Sequence, residues 1–377
     1  MNDKKNIGLA NIINSIANQF NLSKYASASI ELPEAQHYFL CLIDGLSDNL
    51  FLENEPNLSF LKTSDEHKTI ISGFPSTTAT CLTSLATGLD PIEHGIVGSA
   101  FCHNKQSFNP LRWCYLSQQD PSLQQVKPNI LVPKGTWGEM HKEGIRINAF
   151  LPLAIADSEY TKNIFSNAEV HSYEDITILI NKISQLGKAS GRSFSYIYFG
   201  NLDYIGHMQG AGSKEWKDEL FLLESIIKNI SRVIPKKAVL MVTADHGMIN
   251  IENKNMTDFS QMTDLKKETH LICGDIRARH IYLKSEYRKD INLAKWNNLL
   301  GENFNIYSRQ TAIDNQMFGS HINSTFSQRL GDLIIVSKNQ YGLVDTSSLY
   351  DQYQKSWIGH HGAISDDEQR IPLLIWG

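Results

Sequence analysis

The sequence predicts an α/β fold with a mostly parallel central sheet, flanking helices and a smaller inserted cap. Four nearly continuous apolar runs are typical of strands buried on both faces of a parallel sheet, and helical patterns lie between them. After residue 250 the pattern changes to shorter strands, which favours an insertion. With 377 residues, 41% of them hydrophobic and 20% charged, the chain is long enough for a large core that carries such an insertion.

The composition argues against several classes of function. A formal net charge of -5 disfavours a nucleic-acid-binding surface built on charge, although single nucleotides remain possible substrates. No apolar run approaches the ~18 residues of a membrane span, and the N-terminal residues lack a continuous apolar signal segment. Five cysteines without a CxxC pair indicate neither a disulfide framework nor a thiolate zinc site. We therefore expect a cytoplasmic protein without a membrane partner.

The first elements of the predicted core are a helix and a buried strand. Residues 7–20 have apolar side chains at helical spacing, and we expect this helix to pack on the core. Residues 37–43 form a nearly continuous apolar run that ends at Asp44. Asp44 therefore lies at the carboxyl end of a strand, which is the edge where open α/β sheets bind ligands.

A turn rich in hydroxyl residues follows the next strand, predicted over residues 68–71. Thr77 and Thr78 precede a short helix predicted over residues 79–86, which Gly88 closes. One of the two threonines should hold an exposed hydroxyl at the helix N-terminus. An alkoxide or a phosphate is favoured there by the helix dipole, although the commoner role of such a hydroxyl is a plain helix cap.

The third and fourth buried runs also end in polar residues that suit metal binding. The third leads to Asp203 and His207, whose spacing of four places both side chains on one face of a helical turn. The fourth ends at Asp245 and His246. An acidic residue thus appears again at the carboxyl end of a strand, now with a histidine beside it.

The second half of the chain defines the predicted domain organisation. We assign residues 1–249 and 355–377 to a metal-binding core, and residues 250–354 to a partly inserted cap together with returning core strands. Residues 99–135 show little periodicity and are expected to form a long irregular excursion. A histidine pair, His360 and His361, comes late in the chain.

These polar residues together offer three carboxylates and three or four imidazoles around one hydroxyl. Each of them alone has an ordinary structural explanation, since aspartates cap helices and single histidines are usually just hydrogen-bonded. Their coincidence at the ends of successive strands favours a shared site. The combination matches the ligand set of two zinc-like ions that flank a nucleophile.

The order and local sequence of these residues resemble the alkaline phosphatase superfamily, and within it the type I phosphodiesterase/nucleotide pyrophosphatase branch. The resemblance extends from Asp44 to His361, and its most specific part is the segment PSTTATCLTSLATGLDPIEHGIV. The family's nucleophilic threonine lies ten residues before the glycine of a TG pair, and counting back from Gly88 gives Thr78.

The resemblance also implies the metal ligands. It assigns one ion to Asp44, Asp245 and His246, the other to Asp203, His207 and His361, and a metal contact to the nucleophile Thr78. Gly362 directly after His361 favours that histidine over His360. His94 matches a family histidine that is not a metal ligand, so we interpret it as structural.

The chain departs from the family pattern at one substrate-binding position. Members of the branch usually carry an asparagine there that donates to a phosphate oxygen, and this chain has Ser99, whose hydroxyl could donate directly or through water. The residues around Cys81 lack the C/S-x-P-x-R context of sulfatases, which argues against a sulfatase.

The resemblance implies a two-metal hydrolase of phosphodiester or nucleotide pyrophosphate bonds that forms a phosphothreonine intermediate and uses two divalent ions, with Zn²⁺ favoured. The expected partner is a small phosphoester or nucleotide, without a specific nucleic-acid surface. The alternatives within the superfamily are a phosphomonoesterase, a phosphonate hydrolase and a phosphomutase. An alternative of another class is a degenerate binding protein on the same scaffold, which a metal analysis would distinguish.

Overall fold

Strands and helices alternate along the chain in a computed structural model that describes residues 7–116, 128–186 and 190–377. The strands are β1 (His37–Ile43), β2 (Glu66–Ile71), β3 (Phe101–His103), β4 (Gln106–Asn109), β5 (Cys114–Leu116), β6 (Arg146–Pro152), β7 (Glu169–Tyr173), β8 (Ser193–Phe199), β9 (Val239–Thr243), β10 (Ile249–Asn250), β11 (Met256–Asp258), β12 (Thr269–Asp275), β13 (Ala278–Leu283), β14 (Phe304–Ser308), β15 (Leu333–Ser337), β16 (Gly342–Val344), β17 (Gly359–His360) and β18 (Arg370–Trp376).

Helices follow most of the strands of the core. They are α1 (Leu9–Gln19), α2 (Asp48–Asn54), α3 (Thr78–Thr87), α4 (Pro91–His94), α5 (Gly135–Lys142), α6 (Leu153–Ala156), α7 (Glu159–Ile164), α8 (Ile176–Leu186), α9 (Asn201–Gln209), α10 (Lys214–Val233), α11 (Thr263–Glu268), α12 (Leu293–Leu300), α13 (Arg309–Asp314), α14 (Ser324–Ser327), α15 (Leu349–Gln354) and α16 (Asp366–Gln369). Among the described residues, none of these helices has the length and apolarity that crossing a membrane requires.

A seven-stranded sheet forms the core, in the order β2-β18-β9-β1-β8-β6-β7. The five strands from β9 to β7 run parallel, whereas β18 is antiparallel to both of its neighbours. Every residue of β8 and β9 is buried, as expected for strands covered by helices on both faces. The α/β fold with a mostly parallel central sheet is therefore confirmed.

Several helices and strands agree with the sequence pattern, and a few do not. The predicted helix at residues 79–86 is α3, and Gly88 ends it with a left-handed φ of 66°. Residues 173–185 have apolar side chains at helical spacing, which predicts a helix from Tyr173, but Tyr173 ends the parallel strand β7 and the helix α8 starts three residues later. Part of the excursion after Ser99 is more regular than expected, since β3, β4 and β5 form a small antiparallel sheet; residues 117–127 lie outside the described part.

A second sheet, in the order β12-β13-β15-β14, lies within the region assigned to the cap. It is antiparallel and packs its own apolar cluster around Trp296 of α12. Among the described residues, the strands between residues 250 and 354 pair with one another and not with the central sheet. Core strands that return within this range are therefore not found among the described residues, and the boundaries of the cap stay a prediction.

A buried ion pair joins the cap to the core. Arg277, in the turn between β12 and β13, binds both carboxylate oxygens of Glu368 through Nε at 3.1 Å and Nη2 at 2.7 Å, and both side chains are fully buried. Burial opposes the ionisation of Glu368, but the Arg277 guanidinium and the hydrogen bonds outweigh it and lower the pKa of this carboxyl. The pair fixes the tip of the β12-β13 hairpin against α16.

Glu368→Gln is expected to lower the free energy of unfolding by about 3 kcal/mol, because it leaves the buried Arg277 guanidinium beside a neutral partner. Urea denaturation followed by circular dichroism measures the change. Asp218→Asn, which breaks the exposed pair with Lys214, serves as the control and should cause no measurable loss. Equal effects of the two substitutions would contradict a structural role for the buried pair.

Candidate active site

The candidate site lies at the carboxyl edge of the three adjacent strands β9, β1 and β8. Asp44 directly follows β1, and Asp245 with His246 follows β9. Asp203 and His207 lie on α9, the helix that follows β8. Because these strands are parallel neighbours, the polar residues that follow them meet at one edge, as the sequence predicts.

The first carboxylate–histidine group consists of Asp44, Asp245 and His246. One ligand atom from each residue lies within 4.8 Å of the others, and all three residues are buried. The Nε2 atom of His246 is 3.5 Å from Asp44 Oδ1 and 3.5 Å from Asp245 Oδ2. The structure thus brings together the three residues that the resemblance assigned to one metal ion.

The second carboxylate–histidine group consists of Asp203, His207 and His361, again with ligand atoms within 4.8 Å of one another. The Nε2 atom of His207 is 3.3 Å from Asp203 Oδ2, and that of His361 is 3.8 Å from Asp203 Oδ1. His360 points elsewhere, since its Nε2 lies 3.3 Å from the carbonyl oxygen of Trp357. The geometry therefore selects His361 over His360.

The three clustered histidines are oriented in the way that metal ligands require. The Nδ1 atoms of His207, His246 and His361 lie 2.8, 3.1 and 2.9 Å from the backbone carbonyl oxygens of Gly359, Gly247 and Ser76. Each Nδ1 must donate to its carbonyl, so each Nε2 keeps a lone pair directed into the site. This tautomer is the one that binds a metal ion.

Each carboxylate of the site has one oxygen atom without a hydrogen-bond donor among the described residues. Asp44 Oδ1, Asp203 Oδ1 and Asp245 Oδ2 are buried and accept no hydrogen bond from any residue that the structure describes. Orphaned buried carboxylate oxygens are costly unless a cation binds them. The donor set therefore fits two divalent ions, one in each group.

The pKa values of the three aspartates are shifted by burial and by the charged groups close to them. Burial and the neighbouring carboxylates of Asp245 and Asp203 raise the pKa of Asp44 well above its usual value. Burial, with Asp203, raises the pKa of Asp245 to about 7. Burial alone would raise the pKa of Asp203 as well, but the imidazoles of His207 and His361 outweigh this effect and lower it. Divalent cations would relieve this repulsion.

Thr78 and Thr77 occupy distinct positions at the start of α3. Thr78 is the first helical residue and is partly exposed; its Oγ1 lies 3.2 Å from His246 Nε2 and 3.5 Å from Asp44 Oδ2. Thr77 is the N-cap by position, is 2% exposed and makes no capping hydrogen bond. Of the two threonines that the helix pattern left open, Thr78 is the one whose hydroxyl contacts the first carboxylate–histidine group.

Two residues of the site carried no recognisable signal in the sequence. Tyr198, inside the third apolar run, donates a short hydrogen bond from its hydroxyl to Asp44 Oδ2. Asp275, at the end of β12, is 7% exposed; burial raises its pKa, which the His361 imidazole and the hydroxyls of Ser99 and Thr77 partly lower again. Tyr198 is concealed in an apolar pattern, and Asp275 reaches the site only through the packing of the cap.

His94 has the structural role that we predicted for it. It is fully buried, its Nε2 lies 3.0 Å from Ser84 Oγ, and its Nδ1 accepts from the backbone N–H of Ile96. Burial lowers the pKa of His94 to about 3, so it is neutral in the folded protein.

Comparisons with known proteins identify the family and the fold of the chain. Residues 39–363 match the family model for type I phosphodiesterase/nucleotide pyrophosphatase. Murine ectonucleotide pyrophosphatase/phosphodiesterase 5 is similar in structure, with a TM-score of 0.66 and 15% identity over 89% of this chain and 87% of that one. The human counterpart gives a TM-score of 0.65 and 16% identity over 90% and 87%. No curated protein matches the chain in sequence.

A further structure of the murine protein is an inactive threonine-to-alanine variant in complex with AMP, with a TM-score of 0.67 and 16% identity over 90% of this chain and 87% of that one. The fold and the family match define a phosphoric ester hydrolase of the alkaline phosphatase superfamily. Because the family model covers most of the chain, the protein belongs to the type I phosphodiesterase/nucleotide pyrophosphatase family, which depends on divalent metal ions.

Proposed function

We propose that the protein hydrolyses phosphodiester or nucleotide pyrophosphate bonds of small molecules through a phosphothreonine at Thr78. The observation that carries this proposal is the position of the Thr78 hydroxyl, at a helix N-terminus and 3.2 Å from His246 Nε2. A helix N-terminus stabilises the negative charge of both an alkoxide and a phosphoryl group. Two groups of carboxylate and imidazole ligands flank the same place.

We propose Zn²⁺ as the metal in both groups. One group supplies two carboxylates and one imidazole, and the other supplies one carboxylate and two imidazoles. Such mixed nitrogen and oxygen sets with three protein ligands are typical of catalytic zinc. The ions, when bound, would stabilise negative charge on the attacking and leaving oxygens. The Thr78 hydroxyl is placed to complete the ligands of the first group.

The reaction that we propose proceeds in two steps. In the first, Thr78 Oγ1 attacks phosphorus in line, and its new bond forms as the bond to the leaving alcohol or phosphate breaks. In the second, water attacks the same phosphorus, the bond to Oγ1 breaks, and the threonine hydroxyl is restored. The inactive threonine variant of the murine neighbour supports this role for Thr78, and its complex with AMP supports a nucleotide-sized substrate.

The protein is expected to prefer a diester to the matching monoester by about tenfold or more in kcat/KM, which corresponds to ~1.4 kcal/mol. A monoester dianion needs more positive charge, and the two cap arginines are already paired, Arg277 with Glu368 and Arg279 with Asp351. Metal-loaded enzyme assayed with bis(p-nitrophenyl) phosphate and p-nitrophenyl phosphate tests both this preference and the proposed activity. A higher kcat/KM on the monoester would contradict the proposed diesterase activity and indicate a phosphomonoesterase.

A further inference from the structure

The two aspartates of the first carboxylate–histidine group share one arrangement. In each of them one oxygen atom is held by donors of the protein, and the other accepts no hydrogen bond from any described residue. In Asp245 the held oxygen is Oδ1, which accepts from the backbone N–H groups of Gly45 at 3.3 Å and His246 at 2.9 Å. The two free oxygens, Asp44 Oδ1 and Asp245 Oδ2, both lie 3.5 Å from His246 Nε2. The free ligand atoms of the group therefore converge on one place.

Asp44 differs from Asp245 because its held oxygen depends on side chains and not on the backbone. Asp44 Oδ2 accepts from the Tyr198 hydroxyl at 2.5 Å, and the Thr78 hydroxyl lies 3.5 Å from the same oxygen. The proposed attack on phosphorus removes the hydroxyl proton of Thr78. Among the described residues, Tyr198 is then the side-chain donor that remains to Asp44 Oδ2.

Tyr198 is itself firmly placed by its surroundings. It lies on β8, directly beside β1, and the backbone N–H of Asp44 donates to the carbonyl oxygen of Phe199 at 2.9 Å. The Tyr173 hydroxyl donates to the carbonyl oxygen of Tyr198 at 2.7 Å. A Cβ on Gly200 would lie 2.8 Å from the Tyr198 hydroxyl, so this glycine leaves room for it. Tyr198 therefore presents its donor from a rigid strand, which the precise orientation of a ligand requires.

We propose that Tyr198 is a positioning residue of the first carboxylate–histidine group, because its hydrogen bond to Oδ2 orients Asp44 so that Oδ1 faces the ion. This inference rests on the proposed two-metal function and names the residue that orients one of its ligands. The hydrogen bond keeps Oδ2 engaged, so that Asp44 offers the ion one oxygen instead of two. When the partner that orients a metal ligand is removed, affinity for the ion falls by about tenfold to a hundredfold.

The same strand contains a matched control residue. Tyr196 lies two residues before Tyr198, so the two side chains are on the same face of the sheet. Both are buried, at 0% and 9% exposure, and their ring centroids are 6.5 Å apart. The Tyr196 hydroxyl has no hydrogen-bond partner among the described residues. Its removal therefore deletes a buried phenolic hydroxyl without taking a donor from a metal ligand.

The test measures Zn²⁺ binding to the full-length protein, by chelator-buffered titration and by elemental analysis after dialysis. Tyr198→Phe keeps the aromatic ring, so the fold should persist, which circular dichroism checks. We expect this variant to bind one of its two ions about tenfold to a hundredfold more weakly and the other with wild-type affinity. Tyr196→Phe should bind both ions as the wild-type protein does. Saturating Zn²⁺ should restore kcat of Tyr198→Phe on bis(p-nitrophenyl) phosphate to within about threefold of wild type.

A second variant identifies the ion that is affected. In His361→Ala the first carboxylate–histidine group retains all three of its ligands, whereas the second has lost one. Addition of Tyr198→Phe to this variant should weaken the ion that it still holds by the same factor.

The proposal is overturned if Tyr198→Phe binds both ions with wild-type affinity. It is overturned as well if the two tyrosine variants lose affinity alike, because the cause would then be a general effect on packing. A rate of Tyr198→Phe that stays low at saturating Zn²⁺ would also overturn it, because Tyr198 would then act in the chemical step. Wild-type protein that binds no Zn²⁺ tightly would instead reject the two-metal site on which the proposed function depends.

Discussion

Thr78→Ala is expected to abolish turnover, with a loss in kcat of at least about a thousandfold, because it removes the protein atom that we propose bonds to phosphorus. The substitution deletes one partly exposed hydroxyl and no core volume, so the fold should persist. Assays on the aryl diester, circular dichroism and metal analysis of the same preparation separate a chemical defect from a structural one.

The neighbouring threonine provides the control for this experiment. Thr77 is 2% exposed, and its hydroxyl acts on the carboxylate of Asp275. Thr77→Ala should therefore keep most of the rate. Loss of turnover in Thr77→Ala with normal turnover in Thr78→Ala would show that the nucleophile has been assigned one residue too late in the chain.

The central part of the fold and the clustering of the candidate metal ligands could be predicted because they follow from local patterns. A buried parallel strand has a nearly uninterrupted apolar run, so the polar residue after it, such as Asp44 or Asp245, is conspicuous. Parallel strands then place these residues at one edge, whatever the exact strand order. The four-residue spacing of Asp203 and His207 on α9 likewise needed only helical geometry.

The remaining features depend on contacts between segments far apart in the sequence. Tyr198 faces Asp44 across neighbouring strands, and nothing in an all-buried strand distinguishes a tyrosine that donates from one that only packs. Asp275 reaches the site because an ion pair between Arg277 and Glu368 joins residues 91 positions apart. A sequence pattern carries no information about such pairings.

The two histidines near the C-terminus are a further case in which a sequence pattern does not reveal which residue faces the site. His360 and His361 are adjacent, and both are buried. The Nε2 atom of His361 lies 3.8 Å from Asp203 Oδ1, whereas that of His360 lies 3.3 Å from the carbonyl oxygen of Trp357. Burial lowers the pKa of His360 to about 3.

His361→Ala is therefore expected to weaken the binding of one divalent ion by about two orders of magnitude or more and to reduce turnover in parallel, because it removes one of three protein ligands. Elemental analysis after dialysis measures the number of bound ions, and titration with a chelator measures their affinity. In His361→Ala the ion of the second carboxylate–histidine group should be lost first, while the group of Asp44, Asp245 and His246 keeps its own.

His360→Ala is the matched control, one residue away and similarly buried, and it should retain both ions because the His360 imidazole bonds to a backbone carbonyl instead of facing Asp203. Urea denaturation of His360→Ala measures the cost of the lost packing on Trp357. If His360→Ala loses the ion and His361→Ala keeps it, the ligand has been assigned to the wrong histidine. If the wild-type enzyme holds no tightly bound metal and its activity resists chelators, the two-metal site itself is refuted, because the orphaned carboxylate oxygens would then have to be satisfied in some other way.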